Sequence, residues 1–193
     1  MRPCGNMEKW KGSMKILYFD CFSGISGDMT LAALLDLGLP QSILEGELKK
    51  LGLENYSLEI HSGNRSGIAA LGLEVRVGPH EEHHRHFSDI QSMIRSSSLD
   101  SGVKETSLAI FRRLAEAEGR VHRKKVEEVH FHEVGAIDSI VDIVGTAIGI
   151  RYFQPDRVYV SELPMGRGFV QCQHGRLPLP APATLEILKG YPV

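Results

Sequence analysis

The stretch that decides the fold is residues 15–37, which read KILYF, then DCFSGISGD, then MTLAALLDL. Four of the first five residues are apolar or aromatic and predict a buried β-strand. The glycines and serines that follow predict a loop, and a helix is expected from about Asp28 to Leu37, with Gly38 as its C-cap. A buried strand that passes through a short loop into a helix indicates an α/β protein.

The remaining segments alternate between strand and helix patterns. Ser88 and Gln91 form a capping box that predicts the start of a short helix. We expect an α/β or α+β fold, with helices packed on a mixed sheet in one compact domain over residues 14–193. Residues 1–13 are interpreted as a disordered extension or a misassigned start. The other predicted elements are helices at 41–51, 101–121, 133–152 and 183–188, and strands at 56–60, 71–77 and 158–160, with a hairpin connection at 63–67.

Composition excludes several classes of function. Of the 193 residues, 42% are hydrophobic and 24% are charged, and the net charge of −2 favours neither nucleic acid nor an anionic membrane as partner. Cys4, Cys21 and Cys172 are odd in number and far apart, which argues against a disulfide framework and for a reducing compartment. Asp36 and Asp142 interrupt the longest apolar stretches. We therefore expect a soluble, cytoplasmic protein.

A histidine-rich loop is the first candidate metal site. His80, His83, His84 and His86 lie within seven residues, and imidazole suits nickel, zinc, copper and iron(II). The alternative is a solvated polar loop that captures metal opportunistically. The loop contains no apolar anchor, so the pattern fits a metal collector better than a rigid catalytic site.

A second, more specific cluster follows. His130 and His132 would point to the same side of an extended segment, Glu133 follows them, and Asp138 and Asp142 share one helical face. Two carboxylates on a well-buried helix are costly unless a metal, a cation or hydrogen bonds offset their burial. Pairing with Arg or Lys, or capping of another helix, would also satisfy them. The combined pattern favours a metal site.

The loop after the first strand is a candidate phosphate cradle. Gly24, Ser26 and Gly27 lead into a helix N-terminus, where backbone N–H groups favour anions. Asp20 and Asp28 could instead bind a metal, and Asp28 could be only an N-cap. The spacing matches neither a Walker loop nor a dinucleotide fingerprint.

Two further features have weaker signals. Arg167, between two glycines, could bind a phosphate or a carboxylate. Gly145 and Gly149 lie on the same side of their helix as Asp138 and Asp142, where they would allow close approach by another segment or a ligand.

Four separated motifs together resemble the LarC-type nickel-insertion proteins, the cyclometallases of nickel-pincer cofactor biosynthesis. The resemblance spans residues 14–193. The motifs, in chain order, are FDCFSGISGDM at 19–29, the histidine-rich loop with HFSDI at 86–90, VHFHEVGAIDSIVDIVG at 129–145 and HGRLPLPAPAT at 174–184.

The resemblance implies a specific activity. Family members insert Ni²⁺ into a pyridinium bisthiocarboxylate mononucleotide, form Ni–S and Ni–C bonds, and consume CTP with Mg²⁺ or Mn²⁺, yielding CMP and diphosphate. The product cofactor serves lactate racemase and related enzymes. Family proteins are about twice this length, and their C-terminal half is associated with CTP binding. This chain resembles the N-terminal half, so turnover is expected to need the C-terminal half, on the same chain or on a separate one.

The resemblance also suggests roles for the candidate residues. The sequence by itself does not determine the physiological metal or whether the protein forms a homo-oligomer. The histidine-rich loop would collect nickel, which the second cluster would hold beside the substrate. The proposed catalytic residues are Asp20, Glu133 and Asp138, the substrate-binding residues are Gly24, Ser26, Gly27, Asp28 and Arg167, and the metal ligands are His80, His83, His84, His86, His130, His132, Glu133, Asp138 and Asp142.

Three other functions fit the same residues. A metal-dependent phosphohydrolase would use the histidines and aspartates to activate water and would cleave generic phosphate esters. A non-catalytic nickel store or chaperone would bind through the histidine-rich loop alone. A structural half-protein would act only with its missing half.

Overall fold

The computed structural model describes residues 14–65, 67–78, 85–131, 134–172 and 175–193. These ranges contain both helices and strands, which confirms the predicted mixed α/β class. The elements are β1 (Ile16–Phe19), α1 (Gly27–Asp36), α2 (Gln41–Leu48), β2 (Tyr56–Arg65), β3 (Ile68–Val77), β4 (Arg85–His86), α3 (Phe87–Ser96), α4 (Ser101–His122), β5 (His130–Phe131), α5 (Ile137–Phe153), β6 (Arg157–Val160), β7 (Gly168–Cys172), β8 (Gly175–Leu179) and α6 (Pro182–Leu188).

The described strands pair two by two. β1 runs parallel to β6, whereas β2–β3, β4–β5 and β7–β8 are antiparallel. The β2–β3 hairpin is longer than predicted because its ladder continues through Gly63 to Arg65, where the alternation of apolar residues has already stopped. The beginning of the proline-rich stretch is extended and forms part of β8, which pairs with β7.

α5 begins four residues later than the predicted start near Glu133. Ala136 is extended and precedes the first helical residue, Ile137. Gly135 lies so close to the backbone of Arg85 and Phe131 that a Cβ there would be about 2.8 Å from both. Because of this close contact, α5 begins after Gly135. Asp138 therefore lies in the first turn of α5.

The cap of α3 also differs from the prediction. The backbone N–H of His86 donates to Asp89 Oδ2 at 3.0 Å, so Asp89 closes this cap and the predicted pairing of Ser88 with Gln91 is wrong. The helix begins at Phe87 because β4 pairs with β5 immediately before it, which places the Phe87 N–H 3.2 Å from the Val129 carbonyl oxygen.

α5 is the central helix of the core. It packs against α1, α2 and α4, and Val144 and Ile148 are buried. Ile143 and Ile150, on its other side, also pack against the core, which confirms that α5 is covered on most sides. Even so, none of the helices in the described ranges is long and apolar enough to cross a membrane.

Two glycines bring α5 close to α1. A Cβ at Gly145 would lie 2.8 Å from Leu31 Cδ2, and a Cβ at Gly149 would lie 2.7 Å from Leu34 Cδ1. The predicted close approach on this side of α5 is confirmed, and the approaching segment is α1. This packing holds the N-terminus of α1 against the first turns of α5.

The C-terminal part of the chain is much less covered than the rest. After Phe153, none of the described residues is buried, although β6, β7 and β8 carry large apolar side chains. α6 packs along α4. The core is therefore built by the segment from β1 to α5.

Candidate functional site

Three carboxylates come together where the N-terminus of α1 faces the first turns of α5. Asp28 is the second residue of α1, Asp138 is the second residue of α5, and Asp142 lies one turn further along α5. Asp28 and Asp138 both repel the charge on Asp142. The shared face of Asp138 and Asp142 was predicted from their spacing, whereas the structure adds Asp28 from the loop assigned to phosphate binding.

Asp142 is the deepest member of this carboxylate cluster. Its side chain packs against Gly27, where a Cβ would overlap the carboxylate. Asp142 Oδ1 is buried and accepts no hydrogen bond from the described residues. Gly27 is thus required for close packing, a role that differs from the predicted contact with a ligand phosphate.

The surroundings of Asp142 favour its neutral form. Burial raises the pKa of its carboxyl group, and the charges of Asp28 and Asp138 raise it further, to about 7. Asp28 and Asp138 are exposed, so the cluster is open to solvent at one end and desolvated at Asp142. A cation bound there would offset both the burial and the mutual repulsion of the carboxylates.

The N-terminus of α1 is occupied by its own acidic side chain. Ser26 is the N-cap residue, and its hydroxyl donates to Asp28 Oδ1. The same oxygen accepts a hydrogen bond from the Met29 N–H at 2.8 Å. Asp28 is therefore not the N-cap, and two aspartates, Asp28 and Asp142, already face the positive end of the helix dipole. This arrangement favours a cation over a phosphate.

A pair of histidines lies at the start of α3. His86 is opposite His130 in the β4–β5 ladder, and their ring centroids are 4.5 Å apart in an edge-to-face arrangement. Phe87 and Phe131, the neighbours of these histidines, pack beneath them with ring centroids 6.4 Å apart. The structure thus joins one residue of the histidine-rich loop to one residue of the second motif.

Among the described residues, the predicted site residues Asp20, Gly24 and Arg167 are not joined to these groups. Asp20 and Arg167 are exposed, and Gly24 occupies a turn in which its N–H donates to the Cys21 carbonyl oxygen at 2.8 Å. Within the described ranges, no three His, Cys, Asp or Glu side chains are arranged to hold one metal ion. The predictions for His80, His83, His84, His132 and Glu133 lie outside the described residues.

A cavity of about 460 Å³ lies between α4, β5 and the β7–β8 hairpin. Phe131 and Leu177 contribute to its mainly apolar lining, and Glu118, His122 and Cys172 supply polar atoms. His122 Nε2 is 3.3 Å from Glu118 Oε2. Sequence reasoning missed this pair, although the spacing of four residues along a predicted helix was a signal that the two side chains meet.

Comparison with known proteins places the chain among nickel-handling proteins. Residues 17–193 match the family described as nickel insertion protein. The chain is 55% identical over 182 residues to a relative from Geotalea daltonii, 56% over 180 residues to one from Geobacter sp. strain M21, and 54% over 182 residues to one from Wolinella succinogenes. These relatives are named for an inferred role in nickel insertion.

The matches cover most of this chain but only part of each relative. Each alignment includes 93% of this chain and 46% or 47% of the relative, so the chain spans about half the length of the curated relatives it matches. No solved structure matches the chain. The match over residues 17–193 shows that the chain belongs to the nickel insertion protein family.

Proposed function

We propose that this chain holds Ni²⁺ for insertion into an organic cofactor precursor. The observation that carries the proposal is the half-buried Asp142 carboxylate, which lies beside Asp28 and Asp138 and whose buried Oδ1 atom has no hydrogen-bond partner among the described residues. Asp28 and Asp138 both repel the charge on Asp142, and a divalent cation bound beside Asp142 would offset that repulsion. Membership of the nickel insertion family supports nickel as that cation.

The metal ligands in this proposal come from the two motifs. Asp138 and Asp142 provide carboxylate oxygens, His130 and His132 provide imidazole nitrogens, and Glu133 links the two groups in sequence. Imidazole together with carboxylate suits a first-row divalent metal such as nickel. The close pair of His86 and His130 supports transfer from the collecting histidines His80, His83, His84 and His86 to this motif.

The proposed substrate is a pyridinium bisthiocarboxylate mononucleotide. Ni²⁺ would bind its two sulfur atoms and replace a ring C–H proton, so that one Ni–C bond forms and one proton leaves. Asp20, Glu133 and Asp138 are the candidate acceptors of that proton. The cavity beside β5 supports binding of a flat ring, because its walls are mainly apolar and Glu118 could face a cationic ring.

The substrate phosphate requires a cationic contact. Of the residues predicted to bind it, Gly24, Ser26, Gly27, Asp28 and Arg167, only Arg167 is cationic, and the N-terminus of α1 is acidic. Arg167 is therefore the proposed phosphate contact. CTP, with Mg²⁺ or Mn²⁺, would drive the reaction in the full-length proteins. The remaining half of the family's longer chains would bind the nucleotide, and the reaction would take place in the cytoplasm.

Isothermal titration of the metal-free chain with Ni²⁺, Zn²⁺ and Mg²⁺ tests the metal site. We expect the double variant Asp138→Asn/Asp142→Asn to weaken Ni²⁺ binding at least about tenfold, because two charged ligands are lost. Asp36→Asn, an exposed aspartate at the end of α1, is the matched control and should leave the affinity unchanged.

Deletion of residues 79–84, which keeps β4 and the start of α3, separates the site from the collecting loop. Nickel binding that survives the deletion but not the double substitution would support insertion at the motif of residues 130–142. Binding that disappears with the loop and is insensitive to Asp138 and Asp142 would instead reduce the chain to a nickel store.

A further inference from the structure

β6 has the amino-acid composition of an interior strand, but its side chains are as exposed as those of an edge strand. Its sequence, Arg-Val-Tyr-Val, is mostly β-branched and aromatic, yet Val158, Tyr159 and Val160 are 44%, 49% and 55% exposed. Among the described strands, only β1 pairs with it. Parallel strands of this kind are normally buried on both faces and paired on both edges.

Both faces of β6 are open, not only the outer one. In the ladder with β1, Val158 is opposite Leu17 and Val160 is opposite Phe19, so these valines lie on the face that β1 turns toward the core. Leu17 is buried and Phe19 packs against the core. The two valines remain exposed because the core ends at β1.

The opposite face of the same two strands is also apolar. Tyr159 is opposite Tyr18, which is 57% exposed, and Ile16 lies beside them at the start of β1. We call the two faces together the open-sheet surface, which consists of Ile16, Tyr18 and Tyr159 on one side and Val158 and Val160 on the other. An isolated two-stranded sheet is marginal in water, so this surface is expected to be covered in the working protein.

The lengths of the relatives suggest which polypeptide covers the open-sheet surface. The alignment with the Geotalea daltonii relative includes 93% of this chain but 46% of the relative, so more than half of that protein lies outside the match. We infer that the rest of the family's longer chain adds a strand to the free edge of β6 and packs on the open-sheet surface. This inference rests on the part of the proposed function that joins the two halves, and not on the nickel chemistry.

The backbone geometry specifies which amides report the added strand. The N–H groups of Arg157 and Ser161 donate to β1, at the Lys15 and Phe19 carbonyl oxygens. Because donors alternate along a parallel ladder, the N–H groups of Val158 and Val160 point to the free edge. These two amides should become protected only when another strand pairs with β6.

Residue-resolved hydrogen exchange, without metal, compares this chain with the full-length Geotalea daltonii relative. We expect the amides at the positions of Val158 and Val160 to exchange at least about a hundredfold more slowly in the relative than in this chain. Amides of Phe111 and Ala115, in the core of α4, should be protected in both proteins and serve as the internal control.

Two results would overturn the inference. Equally fast exchange of the two amides in both proteins would show that no strand pairs there. If both amides exchange slowly in this chain and sedimentation equilibrium shows a dimer, a second copy of the chain occupies the free edge of β6. Either result would leave the nickel titration unaffected, and a failed nickel titration would leave the exchange result unaffected.

Discussion

Asp142 is the residue at which burial and charge conflict most strongly. Its pKa is raised to about 7 by burial and by Asp28 and Asp138, and its Oδ1 atom has no hydrogen-bond partner in the described ranges. A protein that used Asp142 only for structure would be more stable with an uncharged residue there. This cost supports the proposed role of Asp142 in binding a cation.

The raised pKa of Asp142 predicts a pH-dependent stability. The unfolded chain releases this proton near pH 3.8 and the folded chain near pH 7, so ionisation of Asp142 lowers the free energy of unfolding as the pH rises through this window. Without metal, Asp142→Asn should be more stable than the unsubstituted chain at pH 8 by about 1–2 kcal/mol, once solvent screening at this half-buried site is included.

Urea unfolding of both proteins at pH 5 and pH 8 measures this effect. The difference between them should be larger at pH 8, and the exposed control Asp36→Asn should show no such change. Equal stability differences at the two pH values would mean that Asp142 does not titrate in this window.

The sequence predicted the carboxylate cluster only in part. Asp138 and Asp142 could be placed on one face because a spacing of four residues fixes their relation within a helix. The contribution of Asp28 could not be predicted, because its proximity to Asp142 depends on how α1 packs against α5. The pairing of His86 with His130 likewise depends on the β4–β5 ladder.

Among the elements, the contact between α1 and α5 positions the candidate site. Gly27, Gly145 and Gly149 lie at this interface, where each lacks space for a Cβ. The two glycines of α5 could be predicted to allow a close approach, but their periodicity did not identify the partner. α1 is the partner because its leucines fill the space above both glycines.

Gly27→Ala tests this packing. We expect a loss of about 1–3 kcal/mol in the free energy of unfolding, because the new methyl group overlaps the Asp142 carboxylate. The cost should be smaller in an Asp142→Ala background, and a double-mutant cycle by urea unfolding measures the coupling.

Gly46 in α2 provides the matched control. A Cβ there meets no atom within 4 Å, so Gly46→Ala should be neutral or stabilising by up to about 1 kcal/mol. If Gly27→Ala cost the same with and without Asp142, the two residues would not be in the described contact.

On the scale of the whole molecule, the chain divides into a covered and an uncovered part. All buried residues of the described ranges lie before Gln154, whereas β6, β7, β8 and α6 contribute none. The curated relatives are about twice as long as the matched region. The uncovered part includes β6, the strand to which we propose that a further strand is added.

We propose that this chain holds nickel and that the remaining half of the longer family chains binds CTP. This proposal predicts which protein can cleave CTP. With Ni²⁺, the precursor and CTP, this chain alone should release no CMP above background, because we propose that the nucleotide binds to the part of the relatives outside the match. The full-length Geotalea daltonii relative, assayed in parallel by chromatography, should release CMP. Comparable CMP release by this chain would place the nucleotide chemistry within residues 14–193.

The sequence by itself determined the features that depend on local spacing. The long helix at 101–121 corresponds closely to α4, and the strand at 158–160 corresponds to β6, because hydrophobic periodicity is a property of neighbouring residues. Only the tertiary structure decided which segments meet. The approach of Asp28 to Asp142, the pairing of His86 with His130 and the open faces of β6 all join residues far apart in the chain, and packing between elements, which no local pattern encodes, sets these contacts.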